Sequence, residues 1–395
     1  MSMAAIPLVT PAAIPSSNPE SAALKAHHPK PGSKRFENPW DSFTDHSLWD
    51  FFKSRFFYGT EWPRHPIPTP EEGLVSVTRD IDWEGPEGER EKARAVWLGH
   101  ACFWLKFPAH GGERGLRVLF DPVFSDRCSP FSFMGPKRYT PPPCPISAVP
   151  TPDAVVISHN HYDHLDVATI TYLRDNTSCQ FFIPLGNKQW LLDSKIPGSR
   201  IQELDWWDEL DLSVEGVGSA RVGCLPAQHF TGRGLGDRYH TLWASWQIRD
   251  LTGPKGANIY FAGDTGYRAV PRPTDPTDPI DSMATSKQNK EKFQSLPTCP
   301  AFREIGNHRG PFDLALIPVG AYDPRYLMSP VHCSPEDAVE VFRDVRARKA
   351  VGMHWGAWVL TSEEVMEPVG RLREAMRGVE GEFGVVGIGE GVDVE

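Results

Sequence analysis

Short apolar runs recur along the chain, and turn-forming residues close each of them. Runs of this length that are rich in Val, Ile and Phe predict buried strands. Six strands are predicted on this basis, at residues 93–98, 118–120, 154–157, 259–262, 314–319 and 350–353. A helix is predicted after Ser334, a suitable cap, because Pro335 fits its first position and Ala338, Val341 and Phe342 repeat with helical spacing. Strands that alternate with helices predict a layered α/β fold.

The segment 38–62 is dense in aromatic residues. Leu48, Phe52 and Phe56 fall at positions i, i+4 and i+8, which predicts one apolar face of a helix. Such a face can lie in the headgroup region of a membrane or pack against the rest of the domain. The sequence leaves both alternatives open.

Two other segments offer few residues to bury. Residues 1–35 are rich in Pro, Ala and Ser without a periodic apolar pattern, so we expect a disordered tail before a domain over 36–395. The tail lacks both the apolar block of a signal peptide and the Arg enrichment of a transit peptide, and mitochondrial targeting remains an alternative. Residues 268–298 are rich in Pro, Asp, Ser and Lys and predict an inserted, mobile surface loop.

Composition and charge narrow the class of protein. The chain has 395 residues, of which 40% are hydrophobic, and no run of 18 apolar residues that would predict a membrane-spanning helix. A formal net charge of −10 disfavours a nucleic-acid partner, which would require a basic surface. The seven cysteines are odd in number and lack CxxC spacing, which indicates reduced thiols in an intracellular protein.

The candidate chemistry is concentrated in residues 158–166. His159, His161, Asp163 and His164 lie within six residues, directly after the predicted strand 154–157. Imidazole nitrogens and carboxylate oxygens are the ligands that zinc takes. His159 and His161, two apart in extended backbone, point to the same side, and a turn can bring Asp163 and His164 to a second metal nearby. Two metal ions about 3.5–4 Å apart can share a hydroxide and hold both the attacking and the leaving oxygen of a displacement reaction.

Further metal ligands are expected at the ends of other strands. His229 lies in Pro226-Ala-Gln-His-Phe, Asp264 lies between glycines after the strand 259–262, and His354 follows the strand 350–353. An isolated histidine after a strand is more often structural, but the order and context of these three residues favour a metal site. A carboxylate in a tight turn, as at Asp264, suits a ligand that reaches both metals.

This ordered set resembles the signature of the metallo-β-lactamase superfamily: HxHxDH, then His, then a bridging Asp, then His. The resemblance implies an αββα sandwich with its site at one edge of two facing sheets. It assigns one zinc to His159, His161 and His229. It assigns the other to Asp163, His164 and His354, with Asp264 bridging the two.

Longer stretches resemble the N-acylphosphatidylethanolamine-hydrolysing phospholipase D family, in order and over roughly residues 36–370. They lie at residues 121–127, 135–139, 158–166, 203–207, 261–267, 310–325 and 354–356. The chain departs from animal members at Ser132 and Phe133, where those proteins have Gln-Tyr. This difference bears on recognition of the headgroup or the amide and leaves the metal chemistry unaffected.

The resemblance implies hydrolysis of N-acylphosphatidylethanolamine to phosphatidic acid and an N-acylethanolamine. Two Zn²⁺ ions are the implied cofactors, and a phospholipid at a peripheral membrane surface is the implied partner. Catalytic roles are expected for Asp163, Asp264 and His332, and substrate contacts for Tyr162, Tyr322 and His332.

Two other functions remain open at the level of sequence. The metal motif alone is shared by lactonases and thioesterases, so a hydrolase of this fold that acts on a soluble substrate is the first alternative. A non-enzymatic scaffold of the same fold is the second. The sequence also permits a homodimer.

Overall fold

The computed structural model describes residues 6–57, 65–253, 256–272 and 287–394. The strands of this part of the chain are β1 (Leu8–Pro11), β2 (Ala93–Gly99), β3 (Cys102–Lys106), β4 (Arg117–Phe120), β5 (Ala154–Val156), β6 (Gln180–Pro184), β7 (Ile201–Leu204), β8 (Glu209–Val214), β9 (Gly218–Leu225), β10 (Ser245–Asp250), β11 (Asn258–Phe261), β12 (Phe312–Pro318), β13 (Ala347–Met353), β14 (Glu382–Gly384) and β15 (Gly391–Val394). Its α-helices are α1 (Glu20–Leu24), α2 (Leu48–Phe57), α3 (Val167–Asn176), α4 (Lys188–Asp193), α5 (Lys287–Gln294), α6 (Ala301–His308), α7 (Arg325–Met328), α8 (Pro335–Asp344) and α9 (Glu367–Ala375).

The described strands form two sheets that each combine antiparallel and parallel pairing. One sheet has the order β1-β8-β9-β10-β11-β12-β13-β14, and the other has the order β15-β2-β3-β4-β5-β6-β7. The pairs from β11 to β14 and from β4 to β7 are parallel. Parallel strands that are joined through helices end at the same edge of their sheet, so each sheet gathers several loops at one edge.

The two sheets face each other across a common apolar core. The rings of Phe120 and Phe261, one from each sheet, lie with their centroids 4.7 Å apart, and the indole of Trp246 donates a hydrogen bond to the carbonyl of Ile157 at 3.1 Å. On the outer face of the seven-stranded sheet, α3 and α4 contribute Ile170 and Leu191 to a second core. Helix α8 covers β12 and β13 of the other sheet. The expected αββα sandwich is therefore confirmed.

All six strands predicted from the apolar runs are confirmed, as β2, β4, β5, β11, β12 and β13. The helix predicted after Ser334 is α8, and the Ser334 hydroxyl accepts a hydrogen bond from the backbone N–H of Asp337 at 3.4 Å. Local capping chemistry and buried apolar runs thus locate the elements that form the centre of the fold.

The prediction of a disordered segment over 1–35 is wrong for residues 6–35. Strand β1 pairs with β8, with Leu8 opposite Ser213, and extends the eight-stranded sheet by one strand. Farther along, His27 and Lys25 reach the carboxylate of Asp205, with ring nitrogen and amine at 2.8 and 2.9 Å. Backbone pairing and ion pairs hold this segment, and neither leaves a periodic apolar pattern in the sequence. Residues 1–5 lie outside the described residues.

The insertion predicted over 268–298 differs from expectation at both ends. Arg268 is buried and its Nε lies 2.8 Å from Asp337 Oδ1. Residues 287–294 form α5, and its buried Phe293 stacks under the Arg268 guanidinium at 4.4 Å. The polar composition of this segment therefore gave no indication that both of its ends pack against the domain. Residues 273–286, the centre of the predicted loop, lie outside the described residues.

The aromatic segment 38–62 divides between packing and exposure. Trp40 stacks on Trp206 with 5.5 Å between ring centroids, as the packing alternative predicts. Trp49 and Phe52 of α2 stack on each other and are 59% and 42% exposed. Residues 58–64 lie outside the described residues. Across the part of the chain that is described, no helix has the length and apolar character needed to cross a bilayer.

Candidate metal centre

The predicted ligands converge where strands of the two sheets end. His159, His161, Asp163 and His164 follow β5 in the seven-stranded sheet, and Asp264 and His354 follow β11 and β13 in the other sheet. His229 follows β9. The structure brings all seven side chains into one cluster, in which His161 and Asp163 are partly exposed and the other five are buried. The cluster forms because all these strands deliver their following loops to the same edge of the sandwich.

The first group consists of three histidines. One ring nitrogen from each of His159, His161 and His229 lies within 4.8 Å of the nitrogens from the other two. His161 Nδ1 is 2.9 Å from His159 Nε2 and 3.3 Å from His229 Nε2. The outer nitrogens are held by neighbours: His229 Nδ1 donates to the carbonyl of Val331 at 2.8 Å, and His159 Nδ1 lies 2.9 Å from the hydroxyl of Ser158. The inner nitrogens are therefore free to act as acceptors that face a common point.

Burial keeps these three histidines neutral. It lowers the pKa of His159 and His229 well below the usual value, with the neighbouring histidines adding to the effect, and it lowers the pKa of His161 to about 4. Three neutral imidazoles that aim lone pairs at one point form a donor set that zinc takes.

The second group combines a carboxylate with two histidines. Asp163 Oδ2 is 3.6 Å from His164 Nε2 and 3.4 Å from His354 Nε2. The other nitrogen of His164 lies 2.7 Å from Asp121 Oδ2, so a buried carboxylate fixes the orientation of that ring. Asp121 also accepts hydrogen bonds from the N–H and hydroxyl of Ser158. A carboxylate behind a histidine is a common support for a metal ligand.

One oxygen of Asp264 lies between the two groups. Its Oδ2 is 3.0 Å from His354 Nε2 and 3.1 Å from His164 Nε2, and it is 3.7 Å from His229 Nε2 and 3.9 Å from His159 Nε2. The preceding Gly263 has a φ of +58°, and a Cβ at this position would come within 2.6 Å of the Ser158 Cβ. Only glycine allows the close approach that places this carboxylate between both histidine groups.

The residues present fit a pair of metal cations. His164 Nε2, His354 Nε2 and Asp264 Oδ1 are buried without a hydrogen-bond partner among the described residues, and each unsatisfied polar atom costs about 1–3 kcal/mol. Burial opposes charge on His354, yet the carboxylates of Asp264 and Asp163 outweigh it and raise its pKa to about 9. The centre therefore draws positive charge toward these carboxylates, and a metal ion can supply that charge in place of a proton.

Three further predicted site residues occupy different surroundings. The ring of His332 lies 5.1 Å from that of His229 and 5.2 Å from that of His354, and its buried Nδ1 has no described partner. Tyr162 stands between His161 and Asp163 in the chain, and its hydroxyl donates to the carbonyl of Arg233 at 3.1 Å. Tyr322, the third predicted substrate contact, has a fully buried side chain whose hydroxyl donates to Glu367 at 2.8 Å, and its contact with substrate stays a prediction.

Sequence reasoning did not assign Asp121 and His100 to the site. Asp121 directly follows β4, so an acidic residue at the end of a buried strand was the available signal. His100 lies in the turn between β2 and β3, and its Nε2 is 3.0 Å from Asp163 Oδ2. Nothing in its spacing relative to the other histidines indicated this contact.

A second cluster of ligand-type residues lacks the features of the first. His27 Nε2 and His28 Nε2 lie 2.8 and 2.6 Å from the two oxygens of Asp205. The amine of Lys25 reaches the same carboxylate. Each carboxylate oxygen thus already has a donor, and a lysine ammonium stands where a metal would need neutral ligands. This cluster is an ion-pair anchor for the N-terminal segment.

An open cleft of about 550 Å³ is lined by Tyr162, which stands between the candidate ligands His161 and Asp163 in the chain, although none of the seven candidate ligands lines the cleft. Tyr162 and Arg233 form one wall, and the Arg233 guanidinium lies 3.9 Å from the centre of the Tyr162 ring. Phe131, Val167 and Arg127 also line this cleft. The cleft thus offers apolar side chains together with cationic ones.

A sequence profile described as "Beta-lactamase superfamily domain" matches residues 116–281 and 287–355. The chain is 37% identical over 287 residues to N-acyl-phosphatidylethanolamine-hydrolyzing phospholipase D 1 of Caenorhabditis elegans, across 71% of this chain and 69% of that protein. The chain belongs to this phospholipase D family of the β-lactamase superfamily. All seven predicted metal ligands lie inside the matched residues.

Two other proteins bear on the family and the fold. The mitochondrial N-acyl-phosphatidylethanolamine-hydrolyzing phospholipase D of Saccharomyces cerevisiae is 28% identical over 371 residues, across 86% of this chain and 70% of that protein. The structure of isothiocyanate hydrolase from Delia radicum gut bacteria aligns with a TM-score of 0.50 at 16% identity, across 76% of this chain and 98% of that chain. This second likeness shows a shared fold.

Proposed function

We propose that the protein is a two-zinc phosphodiesterase that hydrolyses N-acylphosphatidylethanolamine to phosphatidic acid and an N-acylethanolamine. The observation that carries the proposal is the position of Asp264 Oδ2 within 3.9 Å of four imidazole nitrogens from both groups. The substrate is supported by the names of the family members in Caenorhabditis elegans and Saccharomyces cerevisiae.

The two histidine groups would each hold one zinc, with Asp264 between them. His159, His161 and His229 suit one ion, and Asp163, His164 and His354 suit the other. When bound, such a pair supplies positive charge for the phosphate oxygens and lowers the pKa of water to about 7.

The protein's own residues orient these groups and the substrate. Asp121 and Ser158 hold the rings of His164 and His159 from behind, which fixes the nitrogens that face the centre. His332 brings an unpaired buried nitrogen beside Asp264 and His229, where a proton of the substrate or product can be held. Tyr162 lines the cleft of about 550 Å³.

The cleft lined by Tyr162 is the proposed place for the diacylglycerol arm of the lipid. The apolar side chains in its lining suit acyl chains, while Arg127 in the same lining suits an anionic phosphate. In this orientation the ethanolamine oxygen is the leaving group, which gives phospholipase D rather than phospholipase C cleavage.

A peripheral membrane surface is proposed around this cleft. Phe131, Phe133 and Met134 lie in the loop that lines it and are 46%, 76% and 55% exposed. Exposed apolar side chains beside a lipid-binding cleft suit insertion among headgroups. A homodimer and an intracellular or mitochondrial location remain predictions from the sequence.

Hydrolysis in ¹⁸O-labelled water tests the reaction. Purified protein with two equivalents of zinc is incubated with N-acylphosphatidylethanolamine in detergent, and the products are identified by mass spectrometry. We expect label in phosphatidic acid and none in the N-acylethanolamine, because water attacks phosphorus. Diacylglycerol as the lipid product would show that the substrate binds in the opposite orientation. Turnover of lactones or thioesters alone would favour a hydrolase of the same fold that acts on a soluble substrate.

A further inference from the structure

His100 is a buried histidine outside the set of predicted metal ligands. It occupies the turn between β2 and β3, with a φ of +54° after Gly99 at +100°. Its carbonyl accepts hydrogen bonds from the Trp97 indole at 2.8 Å and from the N–H of His354 at 3.1 Å. The turn is therefore tied directly to the backbone of a candidate ligand, and histidine is among the residues that tolerate such a left-handed position.

The side chain of His100 points into the second ligand group. Its Nε2 lies 3.0 Å from Asp163 Oδ2, in a geometry that permits a hydrogen bond. The ring packs 4.0 Å from that of His354 and 4.8 Å from that of Trp358. Packing on two sides and a tethered backbone leave the imidazole little freedom to turn away from Asp163.

The hydrogen bond of His100 distinguishes it from the neighbouring candidate ligands. His164 Nε2 and His354 Nε2 lie 3.1 and 3.0 Å from Asp264 Oδ2, but neither makes a hydrogen bond of acceptable geometry among the described residues, which suits nitrogens that would bind a metal. His100 Nε2 already has Asp163 as a partner. No contact joins His100 to Asp264 among those described, whereas His164 and His354 both approach Asp264 within 3.1 Å.

We infer that His100 is a positioning residue that donates a hydrogen bond from Nε2 to Asp163 and fixes this carboxylate toward the second metal. Asp163 is the ligand in most need of such support, because its side chain is 15% exposed while those of His164 and His354 are at most 1% exposed. The inference rests on the proposed two-metal centre and adds a residue that the metal motif does not contain.

Three variants of His100 separate the hydrogen bond from the backbone position. His100→Ala removes the donor. His100→Gln places an amide N–H near the position of Nε2, whereas His100→Asn tolerates the left-handed backbone better but ends near the position of Nδ1. His110→Ala is the matched control, because His110 Nε2 makes a 3.0 Å contact with Asp250, a carboxylate outside the centre.

The primary measurement is zinc affinity, determined by competition with a chromophoric chelator and followed by thermal unfolding and by kcat and KM on the lipid. We expect His100→Ala and His100→Asn to bind two zincs at saturation, with the affinity of the site that contains Asp163 lowered by about 10–100-fold. Their kcat should fall while KM stays near that of the wild type. His100→Gln should recover most of both losses, and His110→Ala should match the wild type.

Four results would overturn the inference. Wild-type zinc affinity in His100→Ala would show that the contact does not support the metal. A single zinc at saturation in all three variants would make His100 a ligand itself. Equal losses in His100→Gln and His100→Asn would assign the effect to packing. A wild type that binds no zinc would overturn the proposed function as well, whereas zinc binding without lipid cleavage would overturn only that function and leave the competition assay to decide on His100.

Discussion

At the scale of single residues, the position of Asp264 is decided by its neighbours in the chain. Gly263 adopts a φ of +58° and approaches the carbonyl of Ala244 and the side chain of Ser158 too closely for any side chain of its own. The strand β11 ends at Phe261, two residues before Gly263, and is buried throughout. A carboxylate held this rigidly can face two histidine groups without paying further conformational entropy when metals bind.

Replacing Asp264 with Asn should disrupt the pair of metals. A neutral amide bridges two cations poorly, so we expect zinc content to fall below two per chain and kcat/KM to fall by more than about 100-fold, beyond the effect of losing a supporting residue. Zinc is measured by elemental analysis after gel filtration. Asp175→Asn is the control, since Asp175 pairs with Arg174 on the exposed surface. Two zincs and full activity in Asp264→Asn would contradict the assignment.

Replacing Asp121 with Asn should weaken the centre without emptying it. Asp121 orients His164 from behind, and the amide keeps the shape of the carboxylate while losing its charge. We expect a loss of about 10–100-fold in zinc affinity or activity, as for other residues that support a metal ligand. Chelator competition and steady-state kinetics measure it. Unchanged zinc affinity together with an unchanged kcat would show that the contact with His164 is only structural.

At the scale of elements, the N-terminal segment connects the edge of one sheet to the candidate centre. Strand β1 lies at the sheet edge, His27 and Lys25 anchor the chain on Asp205, and the side-chain amide of Asn38 donates to the carbonyl of His229 at 2.7 Å. A segment that begins at a sheet edge and ends against a candidate ligand contributes both to stability and to the site.

The anchor on Asp205 should make stability depend on pH. Burial is the largest influence on His27 and outweighs Asp205, so its pKa is lowered in the folded chain. Below a pH of about 6.5, His27 is therefore protonated more readily in the unfolded chain than in the folded chain. Stability contributed by His27 is therefore present above its unfolded pKa of about 6.5 and is lost as pH falls below that value.

His27→Gln keeps a donor near the position of Nε2 but cannot titrate. Urea unfolding at pH 7 and pH 5.5 should show a smaller difference in the free energy of unfolding for this variant than for the wild type. His110→Gln serves as the control, because His110 also contacts a carboxylate, that of Asp250, but its side chain is 33% exposed. Identical pH dependence in His27→Gln and the wild type would contradict this role of the anchor.

The predictable elements are those whose signal is local. Buried apolar runs located β5, β11 and β13. The spacing of His159, His161, Asp163 and His164 identified the loop after β5 as the one that carries four of the candidate ligands. Strand β1 escaped prediction because only Val9 and Leu8 are apolar in it and its pairing partner, β8, lies about 200 residues away in sequence. His100 escaped for a similar reason, since its partner Asp163 is separated from it by 63 residues.

At the scale of the whole molecule, charge and exposed apolar surface bear on how the protein would meet a lipid. The formal net charge is −10, which repels the anionic surface of a membrane and disfavours purely electrostatic docking. The loop with Phe131, Phe133 and Met134 projects beside the cleft instead, and Trp49 and Phe52 form a second exposed aromatic pair. Apolar insertion is therefore the mode of docking that we expect.

Replacing Phe133 and Met134 together by Ser should weaken binding to vesicles of neutral phosphatidylcholine. Full burial of either side chain contributes on the order of 1.5 kcal/mol or more, so we expect affinity in sedimentation assays to fall at least about tenfold, with little effect of added salt. In detergent, kcat should stay near the wild-type value because neither side chain contacts the candidate ligands, and KM reports any contribution of Phe133 to headgroup recognition. Leu251→Ser is the matched control: Leu251 is 38% exposed and follows the end of β10 that lies away from the centre. Binding that survives the double replacement, or that disappears with salt in the wild type, would contradict apolar docking through this loop and leave α2 as the remaining candidate surface.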